Sequence, residues 1–137
     1  MAIAKQNECI RYYSPGQDIT GYVTSAVTGK RCVNVSGNRQ AGPALNTSTS
    51  GGNISIAPAS AAGVTIGVAA WDGAVGDLVD VRRGGVVPIT ADGAITAGTR
   101  VEVGTTGKVR TLASGIAIGV AVSGAADGDD AQIALYF

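Results

Sequence analysis

The sequence predicts an all-β domain assembled from short, related hairpins. Stretches of alternating apolar and polar residues are separated by turns of Gly, Ala and Asp, and no segment of about a dozen residues shows a helical apolar face. An internal repeat supports the same fold class. Residues 67–81 recur in degraded form at residues 119–133, and both copies carry Gly-Val-Ala, a small-residue turn, Gly-Asp and an alternating strand. A third fragment, residues 98–103, is interpreted as a repeat of the end of this unit.

The N-terminal part predicts one strand followed by a hairpin. Residues 5–13 form the candidate first strand, which ends at the turn signal Ser14-Pro15-Gly16. Residues 19–27 alternate as a second strand, and residues 31–35 return after a Gly-containing turn as the other arm of a hairpin. The alternation places Cys32 on the opposite face of its strand from its two neighbours.

The remaining elements are a polar loop and a series of strands. Residues 36–53 are rich in Gly, Ser and Thr and predict a loop, with a short strand at residues 54–56. The Arg-Gly-Gly before Val86 and the Thr-Thr-Gly before Lys108 predict hairpin turns. Further strands are predicted at residues 63–70, 78–82, 86–89, 100–103, 108–111, 116–121 and 131–136.

A chain of 137 residues is long enough for one domain with a modest core. We expect residues 1–35 to form an N-terminal arm or hairpin, residues 36–57 a Gly/Ser/Thr-rich loop, and residues 58–137 the β-domain proper. Helix is expected at most as one short turn, at residues 60–62 or 73–75.

The charge distribution argues against a nucleic-acid partner. Ten basic and ten acidic residues give no net charge, and no run of Lys or Arg occurs. Residues 1–40 are mildly basic, which fits either a solvated strand face or contact with an acidic partner. Charged residues make up only 15% of the chain, so we expect a subunit or a partner to cover part of its surface.

The chain carries no pattern of export or membrane insertion. Its first residues lack the continuous apolar stretch of a signal peptide, and no apolar run approaches the ~20 residues that span a bilayer. We therefore expect synthesis in the cytoplasm and no membrane contact. Cys9 and Cys32 lack metal-site spacing and are expected to be reduced and buried. A disulfide between them stays an alternative, because geometry decides it.

Residue types for catalysis are missing. The sequence contains no histidine, which removes the commonest general base and metal ligand, and it has no phosphate-binding loop. Most Asp residues stand in Asp-Gly or Gly-Asp pairs, which favours turn chemistry. Coordination of Ca²⁺ by a pair such as Asp129-Asp130 is the alternative. We expect no enzyme activity, no cofactor and no metal.

Aromatic and Arg side chains are the candidates for contact with a partner. Trp71, the only Trp, is interpreted either as a cap over the barrel end or as an interface anchor. Arg82 and Arg83 form a basic pair that is either an exposed strand end or a contact with an acidic partner. The apolar C-terminus is expected to pack in the core or between subunits. The candidate contact residues are Tyr12, Tyr13, Tyr22, Arg31, Trp71, Arg82, Arg83, Tyr136 and Phe137.

The order of several short motifs resembles the Gly/Ala/Val-rich capsid decoration (cement) proteins of tailed bacteriophages. The match is carried by Gly-Val-Ala at residues 67–69, Gly-Asp-Leu-Val-Asp-Val-Arg-Arg-Gly-Gly at residues 76–85, and Val-Pro-Ile-Thr-Ala at residues 87–91. It continues through Ala-Ile-Thr-Ala-Gly at residues 94–98 and the second Gly-Val-Ala. The segments at residues 15–20 and 28–31 are similar to members from phages of actinobacteria.

This resemblance implies a small β-barrel or β-tulip-like domain, often trimeric, with an extended N-terminal β-hairpin arm. Such a virion protein would sit on the outer surface of the capsid and clamp neighbouring major capsid subunits. Edge strands at residues 5–13 or 31–35 are hypothesised to add to a partner's sheet.

Two other functions are considered as alternatives to capsid decoration. A tail-fibre or receptor-binding β-domain would recognise a host surface glycan, with Trp71 as the stacking platform. An enzyme-associated β-clip or biotin-carrier-like domain is the second, but the Met-Lys-Met hairpin of a carrier is missing from the sequence.

Overall fold

A computed structural model describes Asn7 and residues 16–40 and 52–137. These residues form β-strands joined by turns, with one short 3₁₀-helix, Thr105–Gly107, between the seventh and eighth strands. No helix in the described ranges has the length and apolar character needed to cross a membrane. The strands are β1 Asp18–Val23, β2 Cys32–Gln40, β3 Asn53–Pro58, β4 Gly67–Ala69, β5 Leu78–Arg82, β6 Val86–Thr90, β7 Arg100–Val103, β8 Val109–Thr111, β9 Gly119–Ser123 and β10 Asp130–Leu135.

The first five strands close into a barrel in the order β1-β3-β2-β4-β5. All neighbouring pairs are antiparallel except β1 and β3, which run parallel with Val23 opposite Ile56. The predicted all-β class with a small barrel is therefore confirmed. The barrel core consists of Ile19, Val23, Val27, Val33, Ile56, Ala69, Val79 and Val81.

The last five strands repeat this arrangement in the order β6-β10-β9-β7-β8. The edges of this second sheet are joined by one parallel bridge, Ala91 to Val109, which corresponds to the parallel contact of Val23 with Ile56. The strands β6 to β10 therefore correspond in order to β1 to β5, and corresponding pairs run in the same relative direction, parallel or antiparallel.

Equivalent backbone pairs recur at constant sequence offsets. The Val23 amide donates to the Asp77 carbonyl at 3.0 Å, and the Ala91 amide donates to the Asp129 carbonyl at 2.8 Å. The donors differ by 68 positions and the acceptors by 52. The same offsets relate the pairs Val27–Gly73 to Ile95–Ala125, Cys32–Val68 to Arg100–Val120, and Ile19–Val81 to Val87–Ile133. We therefore describe the chain as two repeats, residues 17–84 (the first repeat) and residues 85–137 (the second repeat).

The internal repeat seen in the sequence is thus the β4–β5 and β9–β10 part of a longer duplication. The interpretation of residues 98–103 as a copy of the end of that unit is wrong. The offset of 68 aligns them instead with residues 30–35, at the start of β2, because the hydrogen bond from Lys30 to Ala69 recurs from Gly98 to Ala121.

The two repeats pack together through the outer face of β2 and β4. Cys32 and Val68 point away from the first barrel and are buried in a common cluster with Ile89 and Val109 of the second repeat. Val33, the next residue along β2, belongs to the core of the first barrel. The predicted alternation at Cys32 is therefore confirmed. Successive side chains of a strand point to opposite faces, so Cys32 packs in the shared cluster and Val33 in the core of the first barrel.

Two predicted hairpins are wrong. Residues 19–27 and 31–35 were expected to pair, but β1 pairs with β3 and β5, and β2 pairs with β3 and β4. The segment between β1 and β2 instead bonds to the chain near Gly73. The Arg-Gly-Gly before Val86 does not close a hairpin either, because β5 belongs to the first barrel and β6 to the second sheet.

The predicted strands from residue 54 onward are confirmed, with ends shifted by a few residues. The predicted loop at residues 36–53 begins too early, because β2 continues to Gln40 and pairs there with Asn53. Residues 18–35 supply β1 and the beginning of β2, so this part of the expected arm is barrel wall. The predicted strand at residues 5–13 lies, apart from Asn7, outside the described residues.

Candidate partner-binding surfaces

The Asp carboxylates hold turns together. Asp92 accepts hydrogen bonds from the backbone amide of Thr105 at 2.9 Å and from its hydroxyl at 2.8 Å, and these bonds lower the pKa of the Asp92 carboxyl. In the described residues, no three His, Cys, Asp or Glu side chains are grouped as a metal site. Asp77 accepts a hydrogen bond from Ala74 within its own turn, and Asp72 and Asp127 accept bonds from Gly29 and Gly93 in loops far along the chain.

Among the described residues, Glu102 and Cys32 are buried ionisable groups, and both are held in an unreactive state. Arg110 donates from Nε to the Glu102 carboxylate at 2.8 Å, and the Gly115 amide bonds to its other oxygen. The bond from Arg110 is the main reason that the pKa of Glu102 is lowered. Burial raises the pKa of the free Cys32 thiol to about 12, which leaves it protonated and a poor nucleophile.

Trp71 lies in the loop after β4 and is 47% exposed. Its backbone packs against Gly29, and the neighbouring Asp72 accepts a hydrogen bond from the Gly29 amide at 2.8 Å. Tyr22 is half-buried on β1 and lies opposite Leu78, which is 52% exposed at the end of the same loop. The structure thus places Tyr22 beside Leu78, and Trp71 in the loop that precedes β5.

The candidate Arg residues are bound within the protein. Arg82 bonds from Nη1 to Asp18 at 3.1 Å, across the β1–β5 pair. Arg83 donates to the carbonyls of Ile66 and Gly16, both at 3.2 Å, and so fixes the backbone at the barrel end. Arg31 reaches Thr106 of the second repeat at 3.3 Å. Each of these Arg side chains therefore stabilises the fold, in addition to any contact that it makes with a partner.

The C-terminal aromatic residues are on the surface. Tyr136 is 56% exposed and Phe137 is 40% exposed, so of the two alternatives considered above they do not pack in the core. The Tyr136 amide bonds to the Ile118 carbonyl, and the Phe137 carbonyl lies near Gly84. Tyr12 and Tyr13 lie outside the described residues.

Sequence reasoning did not single out the exposed aliphatic side chains of the described residues. They are Val35, Val64, Val75, Leu78, Val86, Ile116 and Val122, each about half exposed or more. It also missed a groove of about 380 Å³ beside β2, which is lined by Asn34, Val35, Ser36, Pro58, Gly63 and Val64, among others. No local sequence signal marks this groove, because the correspondence of its residues with those of the second repeat is visible only in the strand pairing.

Comparisons with known proteins show a family and a likeness to a solved structure. A family model described as "Phage cement protein" matches residues 14–136. Among solved structures, "The crystal structure of head fiber gp8.5 N base in bacteriophage phi29" is similar, with a TM-score of 0.65 and 21% sequence identity over 86% of this chain and 92% of that chain. At this identity the likeness concerns the fold. No curated protein matches the chain.

Proposed function

Since this chain belongs to the phage cement protein family and is therefore a structural protein of a phage virion, we propose that it decorates the outer surface of an icosahedral capsid. In this proposal it bridges neighbouring major capsid subunits, stabilises the shell, and has no catalytic role. The family match over residues 14–136 is the observation that carries the proposal. Because residues 15–20 and 28–31 resemble members from phages of actinobacteria, we also propose that the parent phage infects actinobacteria.

The described surface supports a role in protein contact. Several aliphatic and aromatic side chains are half exposed, and charged residues are only 15% of the chain. Protein interfaces are depleted of charge at their centre and rich in aromatic residues. The proposed contacts with the capsid or a second subunit are Tyr12, Tyr13, Tyr22, Arg31, Trp71, Arg82, Arg83, Tyr136 and Phe137.

We further propose that the protein acts as a homotrimer, with the N-terminal segment ahead of β1 docking on the shell. A trimer gains from multivalency, because the second and third protomers bind at high effective concentration once the first is in place. Direct contact with nucleic acid is not part of the proposal, since the chain has no net charge and no basic run.

The test is co-sedimentation of the purified protein with expanded shells of the parent phage that lack it. Saturable binding at a fixed ratio per capsid subunit, together with raised heat resistance of the shells, is the expected result. Absence of saturable binding would overturn the capsid role. The 47% exposure of Trp71 then makes binding to host-surface glycans, compared between wild type and Trp71→Ala, the measurement for a receptor-binding domain.

A further inference from the structure

The outer face of the second sheet is apolar where the equivalent face of the first sheet is charged. Val86 of β6 pairs with Ala134 of β10, and both side chains point away from the core, because the residues next to them in each strand pack into it. The offsets of 68 and 52 make Asp18 and Arg82 their counterparts, which pair in the same way across β1 and β5. Asp18 and Arg82 form an exposed ion pair at 3.1 Å. Apolar side chains in the second repeat therefore stand where the first repeat has a solvated ion pair.

Further apolar side chains lie beside this pair. Ala134 is paired on its other side with Val120 of β9, which is half-buried, and Val122 further along β9 is 51% exposed. Tyr136 follows Ala134 by two residues and is 56% exposed, as is Val86. We call Val86, Val122, Ala134 and Tyr136 the second outer face. An exposed group of apolar side chains of this kind marks a contact site.

The fold already buries part of the equivalent face in the first repeat. Val68, the counterpart of Val120, pairs with Arg82 in the same row of the sheet and is 2% exposed, because the second repeat packs against it. Beyond it, the side chains of Arg82 and Asp18 are 41% and 57% exposed, so the contact between the repeats does not extend over the ion pair. This face of the fold thus packs on a neighbouring unit of the same fold through its apolar part.

A second copy of the chain is the occupant that these observations favour. The neighbour on the face of the first repeat is a unit of the same fold, so a further unit of that fold is expected on the equivalent face of the second repeat. The neutral character agrees, because identical apolar faces meet without leaving a charge unpaired. A protein that joins a shell also exists free of it, and an apolar face left exposed in that state favours aggregation. Arg100, opposite Val120 on β7, is exposed at the edge of the face, where interfaces are polar.

We infer that the second outer face is the surface through which copies of this chain contact one another. In the homotrimer proposed above, three copies of this face meet around the symmetry axis and bury Val86, Val122 and the ring of Tyr136. Interfaces between permanently associated copies are more apolar than those between partners that also exist apart, which agrees with this face. The inference rests on the proposed homotrimer and adds the surface that forms it.

The experiment gives the second outer face the ion pair of the first repeat. The double variant Val86→Asp/Ala134→Arg is expected to fold with the far-UV circular dichroism of wild type, because the first sheet accommodates the same pair at the equivalent place. Sedimentation velocity over a concentration series is expected to show wild type as an oligomer, and the double variant with a dissociation constant raised by about tenfold or more. Val122→Glu, at a side chain already 51% exposed, carries the same expectation and serves if the double variant fails to fold.

Val75→Asp is the matched control, because Val75 is 66% exposed in the loop between β4 and β5 and its counterpart in the second repeat is Asp127. It is expected to assemble as wild type does. A folded face variant that assembles as wild type does would overturn the inference and leave the homotrimer standing, also if that variant loses binding to shells. A wild-type protein that stays monomeric throughout the series would overturn the inference and the homotrimer together. Co-sedimentation of wild type with shells decides the capsid role separately.

Discussion

Glu102 illustrates how the fold holds a carboxylate in its interior. Its side chain is fully buried, and Arg110 and the Gly115 amide satisfy both of its oxygens. The charge is tolerated there because the partners replace its water shell. The ion pair thus joins β7 to β8, and the bond from Gly115 connects this hairpin to the turn that follows β8.

Replacement of this carboxylate is expected to change the pH dependence of folding. Because the pKa of Glu102 is lowered in the folded state from its ordinary value of 4.5, its contribution to stability is complete above that value and is lost as the pH falls through the folded-state pKa. Glu102→Gln should therefore lower the urea midpoint at pH 7, and the deficit relative to wild type should shrink towards pH 3. A deficit that is the same at both pH values would contradict this assignment.

Gly107 lies where both the backbone conformation and a close contact favour glycine. It has a positive φ of 78°, and a Cβ added there would lie 2.6 Å from the Cys32 carbonyl oxygen of the first repeat. Gly85 has a similar φ of 76°, but an added Cβ would meet nothing within 4 Å. The two positions therefore separate the conformational cost of a side chain from its steric cost.

Gly107→Ala is expected to lower the free energy of unfolding by about 1–3 kcal/mol more than Gly85→Ala does. Both variants carry the positive-φ cost of about 1–2 kcal/mol, and only Gly107→Ala forces the repeats apart. Chemical denaturation of the two variants side by side measures the difference. Equal losses would show that the contact with Cys32 relaxes without cost.

At the scale of elements, the β2–β3 hairpin is where the two repeats differ most. Its inner pairs, Val33–Pro58, Asn34–Ala57 and Val35–Ile56, have counterparts in the β7–β8 hairpin. Its outer part departs from regular pairing, with irregularities after Val35 and again after Gly37. The inner pairs belong to the common fold, and the outer part is an addition to it.

Replacement of residues 36–55 by Gly-Thr-Thr-Gly-Lys, the connection between Val103 and Val109, is expected to leave a folded protein. The inner pairs are kept, and a shorter loop costs less closure entropy, by about 0.6 kcal/mol for each halving of its length. Far-UV circular dichroism and a thermal melt check this. A variant that does not refold would show that the outer pairs of β3 with β1, at Ile54 and Ser55, are required.

At the scale of the whole molecule, the two repeats share one buried cluster and are expected to unfold together. Val68 on the outer face of β4 is 2% exposed because the second repeat covers it. Its counterpart Val120 on β9 is only half-buried. The Lys30–Asp130 ion pair, at 2.7 Å, also joins the repeats, but it is exposed and adds little.

Val68→Ala is expected to cost about 1–3 kcal/mol, and Val120→Ala less than about 1 kcal/mol, although the two residues occupy equivalent positions. The reason is that only Val68 leaves a cavity between the repeats. Calorimetry should show one transition for both variants. Separate transitions for the two repeats, or equal costs, would contradict a shared core.

The sequence by itself determined the all-β class, most strands from residue 54 onward, and the role of Asp residues in turns. These features are local: alternation, turn residues and short-range hydrogen bonds are written in neighbouring positions. It also indicated the repeat, but only in the β4–β5 part, where Gly-Val-Ala and Gly-Asp survive in both copies.

Only the tertiary structure decided which strands pair and which surfaces are free. β1 pairs with β3 and β5 instead of β2 because closure of a barrel depends on contacts between distant residues, which local patterns do not encode. The same holds for Cys32, whose outward side chain is buried only because the second repeat covers it, and for Arg82 and Arg83, whose partners lie far along the chain. The groove beside Asn34 could not be predicted, since it exists because small side chains stand where the other repeat has Glu102 and Arg110.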